Sequence, residues 1–166
     1  MQRASREKRK ASTAVSDTSP LIAVKHAGLL EKLGFLFHVI IVPPSVLREL
    51  SVKEEDQFKG LSFLSMEEPH DRRIVGVLNT IVDEGEAEAI ALALEKGSLL
   101  IIDDLKGRKL AGKLGLKIIG TLGLLKTMKL KGIIKEVKPA IEKLEEEGFY
   151  LSKDLIDTLV SDVKEK

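Results

Sequence analysis

The chain has 166 residues, of which 43% are apolar and 32% charged, with a net charge of +1. That is enough apolar material for one domain with its own core, and the composition argues against wholesale disorder. Cysteine is absent and the only histidines are His26, His38 and His70, so disulfides and thiolate metal sites are excluded and no zinc-type histidine pair exists.

In chain order, the first ten residues carry Arg3, Arg6, Lys8, Arg9 and Lys10 against Glu7 alone. No apolar run of signal-peptide length follows, and none along the chain could span a bilayer, so a cytoplasmic protein without a membrane role is expected. Residues 1–12 read as a basic disordered tail, or alternatively as a phosphate-binding arm, ahead of a single domain over residues 13–166. A strand over residues 13–16 stops at Asp17-Thr18-Ser19-Pro20, where Ser19 suits a helix cap and Pro20 the first helical position. Helices are predicted over 20–27 and 29–33. The β-branched run over 38–42 predicts a buried strand. Pro43-Pro44 ends that strand and opens a short helix through Leu50, with Val46, Leu47 and Leu50 on one face.

Residues 51–70 read mostly as loop, with a short strand within 61–66, and a helix follows over 72–82. The alanine-rich stretch 83–96 is a helix that Gly97 stops. A strand over 98–102 then ends at Asp103-Asp104, followed by a helix over 105–114 and a strand over 117–119 that Gly120 closes. Three helices finish the chain near 121–129, 139–147 and 153–163. The last places Leu155, Ile156, Leu159, Val160 and Val163 on one face, to pack on its own domain or to form a partner surface. Apolar runs alternating with helical periodicity define an α/β protein with a largely parallel sheet.

Ligands of open parallel sheets bind beyond the carboxyl ends of the strands. Asp17 and the Asp103-Asp104 pair stand at such ends, and Glu49 and Glu86 are on helices that could reach the same mouth. Clustered carboxylates repel, so they need bound protons or a cation, and a divalent metal there could activate water against a phosphodiester. With no thiols to offer, oxygen ligands favour Mg²⁺ or Mn²⁺. Each acid also has a plainer role. Asp17 can form a turn with Thr18 and Ser19, Glu49 can pair with Lys53, Glu86 fits a capping box with Asp83, and Asp104 can cap the next helix or meet Arg108. The stripe Ala87, Ile90, Ala91 and Leu94 should face the sheet, which turns Glu86 inward and leaves Glu88 solvated.

Four segments together resemble the PIN-domain nucleases. Val15-Ser16-Asp17-Thr18-Ser19-Pro20-Leu21-Ile22 is similar to their opening strand and first acidic motif. Val42-Pro43-Pro44-Ser45-Val46-Leu47-Arg48-Glu49-Leu50 resembles the second, with its helix glutamate at Glu49. Gly85-Glu86-Ala87-Glu88-Ala89-Ile90-Ala91-Leu92-Ala93 resembles the third, and Leu99-Leu100-Ile101-Ile102-Asp103-Asp104 the strand that ends in the fourth. The GEAEA run, the Asp-Asp pair and Gly120-Thr121-Leu122-Gly123-Leu124-Leu125 are similar to a prokaryotic subgroup related to toxin–antitoxin ribonucleases.

The resemblance implies a three-layer α/β/α fold with a twisted, mainly parallel sheet. It also implies Mg²⁺- or Mn²⁺-dependent cleavage of single-stranded RNA, as by the toxin of a toxin–antitoxin pair. On that reading Asp17, Glu49, Glu86 and Asp104 hold the metal, with Asp103 the alternative to Asp104. Thr18 or Ser19 would orient a water or a phosphate oxygen. Lys106 and Arg108, with Lys109, Lys113, Lys126, Lys129, Lys131 and Lys135, could rim the site toward RNA. A homodimer and an antitoxin protein are the implied partners. Two departures stand out: Glu86 where many PIN domains have aspartate, and Ile102 where many have a hydroxyl residue. A catalytically silent RNA- or protein-binding module is the alternative.

Overall fold

Short β-branched runs followed by helices of matching polarity can close only as strand–helix–strand crossovers, and the chain does so throughout. The computed structural model describes residues 11–165. Strand β1 (Ala11–Ser16) is central, with β2 (Phe37–Val42) and β3 (Leu64–Met66) to one side and β4 (Leu99–Ile101) and β5 (Ile118–Ile119) to the other. The order is β3-β2-β1-β4-β5, and every pairing is parallel. The chain winds outward from β1 through β2 to β3, then returns to β4 and winds the other way. This reversal makes the carboxyl ends of β1 and β4 the crevice of the sheet.

Side-chain alternation fills both faces. Ala14, Ile40, Val42 and Ile101 point to one face, against Leu21 of α1 (Thr18–His26), Leu50 of α3 (Pro44–Glu54) and Leu124 of α7 (Thr121–Leu130). The short α2 (Leu33–Leu36) closes this side beneath β2. Val15, Ile41, Leu100 and Ile102 point to the other face, against Val75 of α4 (Arg72–Leu78), Ile90 of α5 (Glu84–Lys96) and Ala111 of α6 (Leu105–Lys113). The result is the expected three-layer α/β/α arrangement, with an all-parallel sheet. Truncating one of these fully buried aliphatic residues to alanine costs roughly 2–5 kcal/mol. Helices α8 (Lys138–Glu146) and α9 (Lys153–Asp162) pack outside α1 and α7 through Ile141, Leu144, Leu159 and Val163. The final helix therefore spends most of its apolar face on its own domain, although Leu155 stays exposed.

Several boundaries differ from the sequence reading, each for a local reason. β1 begins at Ala11 rather than residue 13, and residues 1–10 lie outside the described part. Asp17, in extended backbone, is the residue that enters α1, so Ser19 is inside the first turn and not its cap. Pro20 is tolerated there because first-turn N–H groups have no intrahelical partner. The segment 29–33 forms a 3₁₀ turn, Leu30–Lys32, before α2. α3 continues a turn past Leu50 because Glu54 is buried and bonded by Lys25 and His26 of α1, a contact with no sequence-local signal. The loop expected over 51–70 is thus partly helical. α4 stops at Leu78, where the Thr80 hydroxyl takes the Val77 carbonyl at 2.7 Å and competes with helix continuation.

Candidate acid site

Asp17 follows β1 directly, and its backbone N–H donates to the Ile101 carbonyl of β4 at 3.0 Å. The residue is 6% exposed, and its carboxylate accepts from the N–H of Thr18. Asp104 follows β4 and caps α6, accepting from the N–H of Gly107 at 2.9 Å. Asp83 caps α5 by accepting from the N–H of Glu86 at 2.8 Å, and the Glu86 carboxylate reaches back to the N–H of Asp83, completing a capping box. Glu49 projects from α3 and accepts the Thr18 hydroxyl, while Lys53 stands 3.5 Å from its other oxygen. Gly85 lies beside these acids. A Cβ there would lie 3.5 Å from an Asp17 oxygen and 3.6 Å from an Asp83 oxygen, so the start of α5 passes close above β1.

The charges of this cluster act on one another. Burial pushes the Asp17 carboxyl up to about 7, reinforced by the charges of Asp83, Glu49 and Asp104 and opposed by the Thr18 N–H. Glu86 is likewise pushed up to about 7, by burial first and then by Asp83, Asp104 and Asp17. The charges perturbing both groups are all carboxylates, so protons or a cation must relieve the repulsion. With the side chains as they stand, no three Asp, Glu or His groups among the described residues close on a common metal-binding point. Asp104 and Glu86 are instead held by their own helix ends, and Glu49 by Thr18.

The four acids named from sequence therefore lie around one mouth, and Asp83 joins them. The sequence pattern marks it only as a capping residue. A helix whose first turn carries an inward glutamate necessarily brings its N-cap along, and that was the available signal. Asp103 turns the other way: its carboxylate takes the Thr121 N–H at 2.7 Å and also the Thr121 hydroxyl, tying β4 to the start of α7. Arg108 does not meet Asp104; its guanidinium donates to the Ile102 carbonyl at 3.1 Å. Of the more distant lysines, Lys126 pairs with Asp162 at 3.0 Å and Lys129 with Glu165 at 3.6 Å. Thr18 is buried beside Glu49, whereas Ser19 is exposed and Lys106 sits on the outer side of α6.

The expectation that Glu88 is solvated is wrong. The residue is 2% exposed, because α5 is covered by the sheet on one side and by α3 and α4 on the other, leaving its middle no polar face. The Glu88 carboxylate accepts from the N–H of Ser45, at the start of α3, at 3.4 Å and pairs with Arg72 of α4 at 3.4 Å. It thereby fixes the helix that carries Glu49 against the helix that carries Glu86.

Two hollows lie near this edge of the sheet. A cleft of about 380 Å³ runs between α3 and α5, lined by Glu49, Asp83 and Gly85 and rimmed by Arg48 and Lys53. The Ser45 hydroxyl on its wall is buried without a hydrogen-bond partner. A groove of about 740 Å³ lies on the β5 side and includes Ser19, Asp103 and Arg108.

Fold and site together define an open, doubly wound parallel α/β protein with its acids gathered at the switch point of the sheet. A family model for the PIN domain matches residues 13–165, and the chain belongs to the PIN-domain family. PIN domains are usually nucleases and generally use divalent metal ions. No curated protein matches the sequence significantly. Among the described residues no helix is long and apolar enough to cross a membrane.

Proposed function

We propose that the chain is a Mg²⁺- or Mn²⁺-dependent endoribonuclease acting on single-stranded RNA. The observation that carries this reading is the buried acid pair Asp17 and Glu86, each pushed up to about 7 beside further carboxylates at the strand ends. The donor set fits a hard divalent ion: oxygen ligands of high negative charge, in a mouth where the Ser45 hydroxyl lacks a partner. Asp17, Glu49, Glu86 and Asp104 would hold the ion. Such an ion supplies a water of lowered pKa and charge stabilisation on the phosphoryl group. Asp17 would fix the centre from the sheet, and Glu49 would have to exchange its bond with the Thr18 hydroxyl for the ion. Asp103 belongs to the support of the site, since both its oxygens are engaged by Thr121. The setting we propose is the toxin of a toxin–antitoxin pair, acting as a homodimer and restrained by an antitoxin protein.

The test is cleavage of single-stranded RNA by the full chain over a range of Mg²⁺ and Mn²⁺. Cleavage should require the ion and fall at least ~100-fold in Asp17→Asn and Asp104→Asn, beyond the effect typical of outer-shell residues. Intact RNA with folded wild-type protein at every ion concentration overturns it. The capping bonds of Glu86 and Asp104 favour a second reading, a silent module that binds RNA or protein through the same face. It predicts binding without turnover and no heat on titration with Mn²⁺.

A further inference from the structure

We propose that the groove on the β5 side holds a nucleotide of the same single-stranded RNA, its base against Tyr150 and its phosphate on Arg108. This rests on the ribonuclease reading and adds where the strand lies. The groove lies at the same edge of the sheet as the acid mouth, on the side toward which Asp103 turns, and its walls include Ser19 and Asp103, the sequence neighbours of Thr18 and Asp104. At about 740 Å³ it is the larger of the two hollows and matches the usual size of small-ligand sites.

Its chemistry is that of a nucleotide. The base of the groove is apolar, from residues such as Leu144 and Leu159. Tyr150, in the connection between α8 and α9, lines it while 93% exposed, offering a stacking face at the rim. Arg108 is held in place by the Ile102 carbonyl and by the absence of a side chain at Gly120, where a Cβ would meet its guanidinium at 2.5 Å. Only part of its five-donor fork is used by that carbonyl, and a phosphate is the ligand such a fork recognises best. The first turn of the ten-residue α7 also lines the groove, but its Thr121 N–H is already taken by the Asp103 carboxylate. Lys126 is already neutralised by Asp162, so the recognition rests on Arg108. A single strand is required because bases paired in a duplex cannot splay onto an aromatic ring.

Tyr150 is the only tyrosine, and the chain has no tryptophan, so tyrosine emission reports on this groove alone. The experiment titrates the full chain carrying Asp17→Asn with a single-stranded RNA hexamer and, separately, with its duplex, following tyrosine emission and the anisotropy of labelled RNA. Saturable quenching by the single strand, little by the duplex, and about tenfold weaker binding in Tyr150→Ala and Arg108→Ala are expected. Three outcomes overturn the proposal: anisotropy reporting a bound strand with unchanged emission and unaltered affinity of the variants; no RNA bound at all; or quenching that follows protein concentration without RNA, which marks the groove as a contact between copies. Failure of the ribonuclease reading looks different: the strand binds and quenches, and the wild-type chain leaves it intact.

Discussion

Two carboxylate sites flank α1, and they solve the same problem in opposite ways. At the lower end of the helix, Glu54 is buried with Lys25 and His26 as partners, and His26 also reaches Glu147 at 3.3 Å. The Lys25 ammonium, with help from His26, holds the Glu54 carboxyl below the usual range. At the upper end, Asp17 and Glu86 have only other acids as their perturbing charges and sit near 7. The first site brings its own counter-ions and locks α3 to α1. On the proposed reading, the second leaves its charge for a bound cation. Acids of similarly low exposure thus differ in the charges placed around them.

The sharpest way to break this contrast is to remove the charge at each end. Asp17 has a folded value above its unfolded one, so its favourable contribution is present below about 4 and is lost as the pH rises through about 7. Asp17→Asn should therefore be more stable than the wild type at pH 8, by about 2–4 kcal/mol or roughly 5–10 °C in Tm, and nearly equal at pH 4. Mg²⁺ at pH 8 should raise the wild-type Tm and leave the variant unmoved. Thermal melts across pH with and without the ion decide the matter, and a variant less stable at pH 8 refutes the strained-acid account.

Glu54→Gln should do the reverse. The Glu54 contribution is present above about 4.5 and is lost as the pH falls through its lower folded value. The variant should melt below the wild type at pH 7, with a deficit that shrinks in acid. A deficit constant across pH would show that packing, and not charge, is at stake.

The smallest effect belongs to Glu88, which touches neither hollow but joins α3 to α5. Glu88→Gln keeps the shape and leaves Arg72, already 57% exposed, to water, so stability should change little. Mn²⁺ affinity measured by calorimetry should weaken about tenfold, as for outer-shell supports. Unchanged affinity would reduce Glu88 to a packing residue.

Much of this was legible in the residues. Asp17 and Asp104 could be placed because β-branched runs end at them, and parallel sheets put such ends on one edge. Glu86 followed from the stripe on α5. What failed was whatever depended on a second neighbour. Glu88 was assigned to water because the stripe predicts one buried face, whereas α5 is enclosed by three partners. The direction in which Asp103 faces turned on Thr121, seventeen residues after Asp104, whose hydroxyl and N–H claim its carboxylate. The last turn of α3 depended on Lys25 and His26, far away in sequence.

The N–H of Asp17 bonded to the Ile101 carbonyl has a consequence for motion. Among the site acids, Asp17 has its backbone stitched into the middle of the sheet, while Glu86 and Asp104 ride on first helical turns, which fray at lower cost. The expected site has one rigid post and several more compliant arms. In amide exchange the Asp17 proton should be among the last to leave, and those in the opening turns of α5 and α6 among the first. A ligand can then draw the arms inward without displacing the point on which they close.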